Sequence, residues 1–141
     1  MKSDIKLRVS RHINALPQKV WEALTSPSII KKYFFGTNAN SDWKPGSPIT
    51  FTGEWQGKSY QDKGTILENQ PGKLLKYKYW SSMSGIEDKP ENYVTITYEV
   101  SGNGSTDLAI SQENIPDEKT KTHSEENWNK VLDNLANLLE N

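Results

Sequence analysis

From Ser124 to Glu140 the chain reads SEENWNKVLDNLANLLE, and Trp128, Val131, Leu132, Leu135 and Leu139 recur at steps of three and four. That spacing makes one apolar stripe on an α-helix, with Asn127, Lys130, Asp133, Asn134 and Asn137 on the other side. Ser124 is placed to cap its start, and Glu125 and Glu126 suit the positive end of the helix dipole. Nothing from Glu118 to His123 breaks a helix, so a start nearer Asp117 stays open. A rod over 124–140 measures about 25 Å at ~1.5 Å per residue. A one-sided stripe is not stable by itself, so the remaining chain has to supply an apolar surface of similar length.

Alternation supplies it. Ile5, Leu7, Val9 and Ile13 alternate with Lys6, Arg8, Ser10 and His12, a half-buried strand whose inward parity also takes in Arg11. Pro17 opens a short helix carrying Val20, Trp21 and Leu24, behind the poor cap Leu16. Ser26 and Pro27 open a second, through Ile29, Ile30 and Tyr33, which Phe34, Phe35 and Gly36 end. Residues 37–48 read as loop, with Asn38, Asn40, Asp42, Pro45, Gly46 and Pro48.

A meander follows. Ile49, Phe51 and Trp55 share one face, and Gln56-Gly57-Lys58 turns the chain. Tyr60 to Glu68 alternates less cleanly, and Gly64 signals a bulge or close backbone approach. After Pro71-Gly72 come Leu75, Tyr77 and Tyr79, then a polar loop from Ser81 to Asn92. Val94, Ile96, Tyr98 and Val100 lead into the hairpin signal Gly102-Asn103-Gly104, and Leu108, Ile110 and Gln112 share the last inward face. The order β-α-α-β-β-β-β-β-α predicts an α+β fold. Its sheet is antiparallel, of about six strands, polar on one side and covered on the other by the C-terminal helix.

Residues 1–141 form a single domain by size. The net charge is −1 with both signs interspersed, which gives no footprint for nucleic acid or an anionic membrane. The chain holds no cysteine, and so no disulfide, thiolate metal site or cysteine nucleophile. Met1-Lys2-Ser3-Asp4 is polar and no apolar run nears the ~20 residues of a membrane span, so a soluble cytoplasmic protein is expected. Five tryptophans, six tyrosines and three phenylalanines make flat rings a large part of a modest apolar inventory.

Four stretches carry a resemblance. Ala15-Leu16-Pro17-Gln18-Lys19-Val20-Trp21-Glu22-Ala23-Leu24-Thr25-Ser26-Pro27 resembles the pattern A-x-P-x-x-V-W-x-A-L-T-x-P. Pro45-Gly46 with Phe51 resembles P-G-x-x-x-x-F, and Gly64 to Leu75 resembles G-x-V-x-E-x-x-P-x-x-x-L. Trp128 to Leu135 resembles G-W-x-x-V-L-x-N-L, with Asn127 in place of the glycine. These are signatures of the START-like (SRPBCC) superfamily, in the branch of the activator of the heat-shock-protein-90 ATPase homologue. The resemblance spans nearly the whole chain. It implies a helix-grip fold, with the sheet curled around the terminal helix and an elongated cavity between them. It also marks Gln112, since many relatives have histidine there.

The expected ligand wall consists of Trp128, Leu132 and Leu135 on the helix and Phe51, Tyr77, Tyr79, Tyr98 and Gln112 on the sheet. Phe35 and Trp43, with Tyr33 and Phe34, form a rim or lid. Tyr79 and Gln112 would orient a polar group of the ligand. His12 and His123 stand apart, and no nucleophile–base pair, phosphate loop or metal-ligand spacing is present, so no catalytic residue, metal or cofactor is assigned. The leading expectation is non-enzymatic binding of a small hydrophobic, aromatic or polyketide-like molecule by a monomer or weak homodimer. Two rivals stand beside it. One is a chaperone-associated interaction module in the stress response, against which counts that this chain starts at its first strand, where eukaryotic co-chaperones of the branch carry a further N-terminal domain. The other is a cyclase- or hydrolase-like enzyme.

Overall fold

The computed structural model describes residues 3–82 and 84–140, and for Trp55 the backbone alone. The start at Met1 and Lys2, and the inward side chain expected of Trp55, lie outside the described residues. Strand β1 (Ile5–Ile13) leads into helices α1 (Pro17–Thr25) and α2 (Pro27–Tyr33). Then come β2 (Asn38–Asn40), β3 (Pro48–Trp55), β4 (Lys58–Gln70), β5 (Leu74–Trp80), a 3-10 turn at Pro90–Asn92, β6 (Val94–Ser101), β7 (Thr106–Ile115) and α3 (Glu118–Glu140). All pairings are antiparallel in the order β1-β7-β6-β5-β4-β3-β2, so the first strand closes against the last and β2 forms the far edge. This is the helix-grip fold.

Three details differ from the sequence expectation. The sheet has seven strands, because Asn38–Asn40, in the stretch read as loop, pairs with Thr50–Thr52 of β3 and buries Ala39. Helix α3 starts six residues before Ser124. The cap is Asp117, whose Oδ1 accepts from the Thr120 backbone N–H at 2.7 Å, and that bond holds the Asp117 carboxyl below the usual carboxylate range. Ser26 stands at the N-cap of α2 but makes no capping bond; its hydroxyl lies 3.2 Å from that of Ser28.

Helix α3 buries Trp128, Val131, Leu132, Leu135 and Ala136, chiefly over β1 and β7. Side chains of that size contribute about 1.5–3 kcal/mol each when fully buried, which fixes the helix. Its main strand contacts are with β1 and β7, so it does not cover the whole sheet, in contrast to the single-helix cover that the sequence predicts. Toward β3, β5 and β6 the inner side is roofed by Leu24 of α1, Ile30 and Tyr33 of α2, and Phe34 and Trp43 beyond them. Arg11, inward by parity, reaches sideways from β1 to pair with Asp133 of α3. Gly64 marks a close approach, since a Cβ there would lie 1.7 Å from the carbonyl oxygen of Lys78. The β4 bulge comes later, between Ile66 and Glu68.

Candidate functional site

The rings meet under that roof. Phe51 (β3), Tyr77 and Tyr79 (β5) and Tyr98 (β6) project from the concave face, with Tyr77 5.8 Å from Tyr98, 5.9 Å from Phe51 and 6.5 Å from Tyr79 between ring centroids. Trp128 meets Tyr98 edge-on at 6.0 Å from the helix side. Phe34 fills the middle: it stacks on Phe51 at 6.4 Å and stands edge-on to Trp128 at 5.9 Å. Such edge and offset geometries contribute about 0.5–1.5 kcal/mol per pair beyond simple burial. The remaining void is about 10 Å³, bounded by Leu24, Ile30, Tyr33, Trp43 and Ile49 and by the rings of Phe34, Phe51, Tyr77 and Tyr98. The open hollow expected beneath Trp128 is therefore absent: Phe34 occupies it.

Polar atoms in this apolar surrounding are paired among themselves. The Trp128 indole N–H donates to Gln112 Oε1 at 2.9 Å. The hydroxyls of Tyr77 and Tyr98 are 2.9 Å apart, and Tyr33 donates to the Ala23 carbonyl at 2.9 Å. Tyr79 donates to Asp62 Oδ2 at 2.5 Å, while Asp62 Oδ1 accepts the Ser82 backbone N–H at 3.0 Å. Burial pushes the Tyr33 and Tyr77 phenols well up and that of Tyr98 to about 12; Tyr79 is raised by burial first and then by the adjacent Asp62 carboxylate.

The roof carries local strain. Phe35, Gly36 and Trp43 have φ values of 53°, 73° and 65°, a left-handed conformation costing a non-glycine residue of order 1–3 kcal/mol. The Phe34 N–H is held by the Ile30 carbonyl at 2.9 Å, and the Thr37 N–H by the Phe34 carbonyl at 3.0 Å. Asn69 Nδ2 donates to the Trp43 carbonyl at 2.7 Å, pinning the other end. Phe34 is only half-buried.

Of the expected wall, Phe51, Tyr77, Tyr98 and Trp43 bound the void, and Trp128 and Tyr79 touch its rings. Leu132 and Leu135 are fully buried core residues that do not reach it. Phe35 is turned outward and 40% exposed, because the chain reverses at its left-handed φ; its neighbour Phe34 has the inward place. The Gln112 side-chain oxygen is engaged with the Trp128 indole, and the Tyr79 hydroxyl with Asp62. Asp62 itself escaped the sequence reading, because the irregular alternation of β4 hid its inward parity.

A second concavity, of about 630 Å³, lies on the outer face among Arg8, Ser10, His12, Lys73, Glu99 and Asp107. It is open and carries charged side chains: Arg8 pairs with Glu99, and His12 Nδ1 lies within hydrogen-bond distance of Asp107 Oδ1, each at 2.8 Å. Among the described residues no group of three His, Asp or Glu side chains could hold a metal, and no helix is long and apolar enough to cross a membrane.

Comparison with known proteins agrees with this geometry. The sequence model described as "Activator of Hsp90 ATPase homolog 1-like protein" matches residues 14–140. A Cytophaga hutchinsonii protein solved in solution is similar at 44% identity and TM-score 0.84, with 99% of this chain and 97% of that one covered. The Aha1 dimer from Colwellia psychrerythraea has 19% identity and TM-score 0.76 over 96% of both chains. DynU16, from the dynemicin biosynthetic locus, has 17% identity and TM-score 0.81 over 98% of this chain and 48% of its own. These last two show likeness of fold. Among curated proteins none matches the chain.

Proposed function

The chain belongs to the family of activator of Hsp90 ATPase homolog 1-like proteins, and within it we propose that this member binds a small, mostly apolar, aromatic molecule without altering it chemically. The ligand enters by displacing Phe34 and takes over that ring's contacts with Phe51, Trp128 and Tyr98. The observation that carries this reading is Phe34 itself. A half-buried ring from a strained helix end stacks among sheet and helix aromatics where such folds keep their cavity. Affinity comes from apolar burial, at about 25 cal/mol per Å², and from edge and stacking contacts between rings. It is reduced by the fraction of molecules in which Phe34 is seated.

A panel of bicyclic aromatic compounds titrated into the ¹⁵N-labelled chain tests this. Shifts of the Trp128 indole N–H and of the Phe34 to Gly36 amides support it. A panel that leaves all of these unmoved rules it out.

A further inference from the structure

We propose that Asp62 is the polar end of this site and that it selects aromatic compounds bearing a phenolic hydroxyl; the inference rests on the binding reading above. Asp62 is 7% exposed and stands directly opposite Phe51 in the β3–β4 pairing. Directly opposed residues share a face, with Cβ atoms about 4.5–5.5 Å apart. A ring that replaces Phe34 against Phe51 would lie on the face that carries this carboxyl, just beyond the residues that bound the void.

The surroundings of Asp62 define which group it would take. Its partners are neutral donors: the Tyr79 hydroxyl at 2.5 Å, and the Ser82 backbone N–H and hydroxyl at 3.0 and 3.4 Å. Neighbouring Lys63 points to the opposite face and pairs with Asp88 at 2.6 Å, so among the described residues no cation compensates Asp62. A buried carboxyl without a counter-ion is costly to keep, and packing alone does not require one opposite Phe51. A carboxylate offers about four lone-pair sites, and the described residues use three of them. The fourth accepts one further O–H. An anionic ligand would meet like charge in a poorly hydrated place, and an ether would bring no donor. The Tyr79 phenol already displays the geometry: a ring packed on Phe51 at 5.8 Å with its hydroxyl on the Asp62 carboxyl.

The test compares 2-naphthol, 2-methoxynaphthalene and 2-naphthoate on the full chain by calorimetry and NMR. The expected order has 2-naphthol roughly tenfold tighter than its methyl ether, since hydrogen bonds to charged groups are the stronger ones, and 2-naphthoate weakest. Asp62→Ala brings naphthol and ether within about twofold of each other, the loss expected when the charged acceptor goes. Tyr79→Phe retains the carboxylate, frees a second acceptor site and widens the preference, which decides the matter if Asp62→Ala does not fold. Equal binding of naphthol and ether to the native chain overturns the role of Asp62 while leaving the pocket standing. So does a preference that survives Asp62→Ala or fails to widen in Tyr79→Phe. Binding of none of the three removes the pocket and this inference together.

Discussion

Trp128 and Gln112 are joined across the helix–sheet boundary by an indole N–H that donates to the side-chain oxygen at 2.9 Å, with both residues buried. The bond fixes the rotamer of the one tryptophan on α3 and sets the plane against which Phe34 and Tyr98 stand edge-on.

Removing only the acceptor strands a buried donor. Gln112→Leu is expected to lose about 1–3 kcal/mol, the desolvation cost of an unsatisfied N–H. Adding Trp128→Phe should cost less than its effect in the native chain, because the orphaned donor leaves with it. Urea unfolding of the double-mutant cycle checks both. Additive losses would mean the hydrogen bond does not couple the residues.

Gly64 is constrained by space. A Cβ there would overlap the Lys78 carbonyl, which is backbone of the neighbouring strand. Gly64→Ala is expected to cost more than about 3 kcal/mol or to prevent folding, as strand separation in mid-sheet requires. Gly46→Ala, at φ 88° with nothing within 4 Å, carries only the conformational penalty, on the order of 1 kcal/mol. Thermal denaturation of the pair separates these causes.

The four buried phenols set an alkaline limit. Folded-state values of Tyr33, Tyr77, Tyr79 and Tyr98 are raised, so above pH ~10 the unfolded chain releases protons that the folded chain retains. Stability is therefore full below about pH 10 and falls as pH rises, by up to about 1.4 kcal/mol per pH unit for each such group. For Tyr98 the loss extends to about pH 12. Denaturant midpoints from pH 8 to 11, alongside phenolate absorbance, should show flat stability and then a steep decline. A flat profile through pH 11 would contradict the burial of these hydroxyls.

Much of the fold could be seen in the residues. Alternation placed Leu7, Phe51, Tyr77, Tyr98 and Ile110 inward, and the stripe from Trp128 to Leu135 named the buried face of α3; all are buried. What stayed hidden depended on geometry beyond periodicity. Residues 118–123 add a helical stretch with no apolar stripe, so only the Asp117 cap marks the true start. Asn38–Asn40 is a strand through its pairing with β3, not through any pattern of its own. Phe34 and Phe35 are adjacent rings, and which of them enters the core is decided by one left-handed residue at the helix end. The inward carboxyl of Asp62 was masked by the irregular pattern around Gly64 and the later bulge.

The account turns on Phe34 as a removable plug, and Phe34→Ala tests that most directly. The variant should stay folded, with an emptied space of the order in which apolar cavities accept benzene, ~150 Å³. Its affinity for 2-naphthol, measured by calorimetry, should exceed that of the native chain by roughly tenfold, because no ring has to be displaced first, and the Trp128 indole N–H should shift on binding. Equal affinity in the two proteins, with shifts confined to Arg8 and His12 on the outer face, would contradict it.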